Sequence, residues 1–66
     1  MMEDRLEIGT LVIYRGSITE YHGELYTVSA YEMIRGDWRY DLRPLVIDAD
    51  GSNYLYRANR KSLEVV

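Results

Sequence analysis

Cysteine and phenylalanine are both missing from this 66-residue chain, and proline, tryptophan and histidine each occur once. Without cysteine there are no disulfides and no thiolate metal sites. One histidine without cysteine partners makes a poor metal site, and no spacing assembles a nucleophile, a base and an orienting group. An enzyme is therefore the least favoured class. No apolar run reaches the roughly 18 residues that a membrane helix needs. The acidic segment Met1–Glu7 is unlike the basic-then-apolar start of a secretory leader. These absences predict a soluble, cytoplasmic protein with no cofactor, no metal, no membrane contact and no evident small-molecule substrate.

A chain of about 60 residues buries only roughly 60% of its unfolded surface, so a single thin-cored domain is expected over 1–66. Residues 1–7 read as a flexible or loosely packed N-terminus. Net charge is −3, which argues against a general nucleic-acid binder, whose domains usually carry a basic excess. The charge is uneven. Residues 1–34 hold six acidic and two basic side chains, and residues 35–66 hold five acidic and six basic. Seven tyrosines supply nearly all the aromatic content. A tyrosine ring can be buried while its hydroxyl reaches a polar partner, which suits a thin core.

Thr10–Arg15 is β-branched and aromatic between Gly9 and Gly16, and reads as a first strand. Glu24–Ile34 reads as a second, with Tyr26, Val28 and Ala30 on its core-facing parity. Arg35, Gly36 and Asp37 form a tight turn; the tripeptide spells an integrin motif, but a hairpin turn explains it. Trp38–Arg43 alternates cleanly, with Trp38, Tyr40 and Leu42 inward and Arg39, Asp41 and Arg43 outward. Pro44 suits an edge or bulge, with Leu45–Ile47 expected to continue the strand. Asp50-Gly51 marks a hairpin loop over 48–53; its spacing fails the calcium-loop pattern. Tyr54–Ala58 is a fourth strand, residues 59–62 one 3₁₀ turn, and Leu63–Val66 a last strand. Sustained helical periodicity is absent. The expected fold is all-β, a five-stranded small barrel with one short 3₁₀ turn before the last strand.

This order of elements resembles an SH3-like small barrel, with the layout shared by KOW and Tudor-type modules. The motifs Gly9, Val12, Tyr14, Gly16 to Ile18, His22 to Glu24, Tyr26 and Val28, closing on Ala58–Leu63, are similar to small proteins of actinobacteria and their phages. The resemblance implies a barrel of bacterial or phage origin that acts by binding. It does not extend to the acidic-aromatic first loop of proline-peptide readers or to the basic, glycine-centred KOW signature. Fold alone does not assign function.

Two binding readings follow. In the first, the chain is a protein-interaction module or homodimer. Tyr21 and His22 sit in the glycine-bracketed first loop, joined by Trp38, and the surplus apolar residues Leu11, Ile13, Leu25 and Leu55 form a patch. In the second, Arg39, Arg43, Arg57, Arg60 and Lys61, with Tyr31 and Tyr56 nearby, bind RNA or single-stranded DNA. Cross-strand pairing of the arginines with Glu32 and Asp41 would cancel that face.

Overall fold

The computed structural model describes residues 5–66. Five strands form one antiparallel sheet: β1 (Leu11–Tyr14), β2 (Leu25–Ile34), β3 (Asp37–Pro44), β4 (Leu55–Asn59) and β5 (Leu63–Val65). The order across the sheet is β4-β3-β2-β1-β5. Short 3₁₀ turns occupy Thr19–Tyr21 and Arg60–Ser62. The second was expected; the first is an additional turn within the glycine-bracketed loop. No helix among the described residues is long and apolar enough to cross a membrane.

The two sheet edges, β4 and β5, are consecutive in sequence. Four Cα steps from Asn59 to Leu63 cover at most about 15 Å. Five strands laid flat would hold their edges about 19 Å apart. The sheet therefore curls, and it does so without a β4–β5 ladder to close it.

Local chemistry sets where the sheet bends. Arg35 and Gly36 both adopt positive φ, 51° and 85°, as the two-residue turn that matches strand twist requires. Ser29 is an extra residue in β2, because Val28 faces Leu42 while Ala30 already faces Asp41. Its hydroxyl donates to the Asp41 carbonyl at 3.1 Å. This bulge reverses the parity of β2. Tyr26 and Val28 are buried as expected, but beyond the bulge it is Tyr31, not Ala30, that packs against the core. A second bulge sets Tyr56 and Arg57 opposite Asp41. Arg57 adopts a φ of 57° there, and its N–H donates to Asp41 Oδ1 at 3.1 Å.

The core comprises Val12, Tyr14, Tyr26, Val28, Tyr40, Leu42, Leu55 and Leu63. Burial of Leu55 removes it from the expected exposed patch: β4 turns it inward beside Leu42. The buried tyrosine hydroxyls bind segments outside the strands. Tyr14 accepts the Ile18 N–H (3.3 Å), Tyr26 donates to the Asn53 carbonyl (3.0 Å), and Tyr40 accepts the Leu6 N–H (3.0 Å). A core built from phenylalanine could not make these three bonds. The expectation for 1–7 falls outside the described residues at 1–4; at 6 the chain packs against the core cluster.

The expected strand over Leu45–Ile47 does not form. The ladder ends with the Leu45 N–H on the Leu25 carbonyl, 3.2 Å. Beyond it the buried Asn53 takes over, donating its amide to the Val46 carbonyl (2.8 Å) and accepting the Asp48 N–H (3.0 Å). Val46 is left 79% exposed. At the loop tip, Asp50 accepts the Ser52 N–H at 3.0 Å, and hydrogen bonds from Ser52 hold the Asp50 carboxyl below its usual range.

Candidate functional site

The outer face of the sheet, opposite the core, carries a set of apolar side chains fixed by register. Ile13 stands opposite Leu25 on one side and Glu64 on the other, and Leu11 stands opposite Thr27. Backbone bonds from Leu45 to Leu25 and from Val66 to Leu11 extend these ladders by one residue. Cross-strand partners share a face. The result is a row Leu45–Leu25–Ile13–Glu64 beside a row Arg43–Thr27–Leu11–Val66. Leu25, Leu45 and Val66 are exposed, and Leu11 and Ile13 half-buried. Arg15 Nε meets Glu64 Oε1 at 3.1 Å along one border.

Tyr21 and His22 do not join that face. Tyr21 packs against the core and donates its hydroxyl to the Ser52 carbonyl at 3.2 Å, which ties the first loop to the β3–β4 loop. His22 is exposed. Its Nε2 lies on the Gly16 carbonyl and its ring stands edge-on to Tyr14, 6.1 Å between centroids. Both residues thus have structural partners.

Trp38 sits at the opposite end of the sheet, half-buried and edge-on to Tyr31 at 5.6 Å. The Arg5 guanidinium lies 4.2 Å from the Tyr31 ring centre and 5.4 Å from that of Trp38, within cation–π range. Trp38 also lines an open depression of about 390 Å³ together with Asp37, Arg39, Asn59, Arg60 and Lys61. Register explains this meeting. Arg39 pairs with Asn59 at the end of β4, and the 3₁₀ turn that follows brings Arg60 and Lys61 alongside.

Of the five basic residues expected to act together, the structure gathers Arg39, Arg60 and Lys61. Arg43 lies on the outer apolar face opposite Thr27. Arg57 lines a separate groove of about 360 Å³ with Ile18, Tyr54 and Tyr56, and its Nε is 3.9 Å from Glu32. Glu32, although it stands opposite Arg39 in the β2–β3 register, forms its ion pair with Arg57, and Arg39 bonds the amide of Asn59. Arg5, Leu45 and Val66 were not singled out from the sequence. Leu45 and Val66 are visible only once the registers are known, and no sequence pattern places Arg5 on Tyr31.

Among the described residues, no group of three or more histidine, cysteine, aspartate or glutamate side chains could hold a metal. No family model, curated protein or solved structure matches the chain.

Proposed function

We propose that this chain is a non-enzymatic SH3-like small barrel that serves as a protein-interaction module, docking its partner on the outer face of β1 and β2. The strand order, the curl forced by the β4–β5 connection and the 3₁₀ turn before β5 support the barrel reading. The observation that carries the function is the row Leu45–Leu25–Ile13, flanked by Leu11 and Val66. A contiguous apolar surface on a small domain marks an interaction site. Its ends are bordered by Arg43 and Glu64, which give a partner a charged rim around an apolar centre. The resemblance to actinobacterial and phage proteins supplies the setting.

Leu25→Glu tests this reading, because Leu25 is exposed and its loss should not unfold the domain. Light scattering over a dilution series of the wild type detects a second copy on the face. Capture from an actinobacterial lysate detects another protein. The expected result is an association, by either route, that Leu25→Glu abolishes at unchanged melting temperature. Identical mass and identical captured proteins for wild type and variant overturn the proposal.

A further inference from the structure

The depression around Trp38 lies away from the apolar face, and its chemistry differs. Its lining contains three cations, Arg39, Arg60 and Lys61, against one carboxylate, Asp37. Among the described residues, the ion pairs engage Arg5, Arg15 and Arg57 and none forms on Arg39, Arg60 or Lys61, although Glu32 stands across the β2–β3 ladder from Arg39. In a chain of net charge −3, this is a local reversal of sign.

The cations are also oriented. Arg39 Nη1 donates to Asn59 Oδ1, and Arg60 Nη1 donates to the Leu63 carbonyl at 2.8 Å. Each guanidinium is held by one nitrogen and keeps other N–H donors for a ligand, in the planar fork that suits phosphate. Trp38 is steadied by Tyr31 on the core side. Arg5 lies 5.4 Å from the centre of its indole, so a planar ring would stack on the side that Arg5 leaves open. A volume of about 390 Å³ is at the lower end of the range for small-ligand pockets, roughly 300–1,000 Å³. The depression is open to solvent, so it can take one unit of a longer strand as well as a free nucleotide.

We propose that this depression binds a nucleotide unit, with phosphate on Arg39, Arg60 and Lys61 and the base against Trp38. Asp37 repels phosphate from its own side and fixes the polarity of the bound unit. The same chemistry is offered by a free mononucleotide and by a single strand.

Trp38 is the only tryptophan in the chain, so its fluorescence reports on this site alone. The test titrates the protein with adenosine monophosphate, with short single-stranded RNA and DNA oligonucleotides, and with dextran sulfate, a polyanion without bases. Saturable quenching by nucleotide, and not by dextran sulfate, is expected. Saturation by the monophosphate at the same affinity assigns the site to free nucleotides, whereas a response to strands only assigns it to polymers. With three phosphate contacts at about 0.7 each, strand affinity falls about eighteenfold between about 50 and 200 mM salt. Lys61→Gln lowers affinity several-fold and reduces the salt slope by about 0.7. Asp37→Asn raises affinity about twofold by removing a like charge, a gain that misfolding cannot produce. Leu25→Glu leaves the quenching intact, which separates this site from the apolar face. Absence of quenching, equal quenching by dextran sulfate, or indifference to both Lys61→Gln and Asp37→Asn overturns the proposal.

Discussion

The Tyr14 ring lies against Gly16, in the space that a Cβ at position 16 would occupy. Tyr14 is buried and its hydroxyl holds Ile18, so the ring cannot step aside. Gly16→Ala is expected to cost about 1–3 kcal/mol, the range for overpacking a filled site. Gly23 is a useful contrast. Its φ is 84° with open space around it, so Gly23→Ala meets only the left-handed backbone penalty of about 1–2 kcal/mol. Urea melts of the two variants separate the mechanisms: at position 16 the signal of Tyr14 packing in near-UV circular dichroism also changes, and at position 23 it does not.

Burial pushes the Tyr26 hydroxyl from 10.0 up to about 12, with Tyr21 and Glu24 adding to the shift. The folded state thus holds this proton more tightly than the unfolded chain. Stability from Tyr26 is complete below pH 10 and is lost as pH rises through about 12. The loss amounts to about 2–3 kcal/mol. Tyr26→Phe should flatten the alkaline limb of a stability-versus-pH curve, while lowering stability at neutral pH by about 1 kcal/mol through loss of the bond to Asn53. An alkaline limb equally steep in the variant would show that another group governs it.

Asn53 replaces strand pairing between the two ends of the β3–β4 loop. Asn53→Ala leaves the Val46 carbonyl and the Asp48 N–H without their partner. About 1–3 kcal/mol should be lost. Val46 is already exposed and water can reach part of the gap, so the lower half of that range is expected. Chemical denaturation measures it directly.

Arg35 is an L-residue with a side chain in the left-handed region, at the first central position of a turn that favours Asn-Gly. Arg35→Asn should raise stability by up to about 1 kcal/mol. An unchanged melting temperature would indicate that the arginine side chain compensates through a contact of its own.

The alternation of β3 was readable because nothing interrupts it from Trp38 to Leu42. Strand β2 was readable only as far as Val28, since Ser29 is an ordinary strand residue and nothing local marks it as extra. Leu45–Ile47 looked like strand because it is apolar and partly β-branched. What ends the ladder is the amide of Asn53, several residues away and invisible to a local pattern. The same limit applied to the cations. Arg39 meets Arg60 and Lys61 because the bulge at Tyr56 and Arg57 sets the register that pairs Arg39 with Asn59. Without that one-residue offset Arg39 would pair with Ala58, one residue farther from Arg60 and Lys61. Residue types in the first loop suggest a binding site; the partners that the fold gives Tyr21 and His22, namely Ser52, Gly16 and Tyr14, have no local signature.

The hydroxyls of Tyr14, Tyr26 and Tyr40 carry a further consequence for how the molecule opens. Ile18 and Leu6 lie outside the strands, yet their amides are held by side chains rooted in the core. An amide hydrogen in such a position exchanges with solvent deuterium only when its acceptor moves. The amides of Ile18 and Leu6 should therefore exchange at the pace of the central strands, as part of one cooperative unit and not as independently fraying connections.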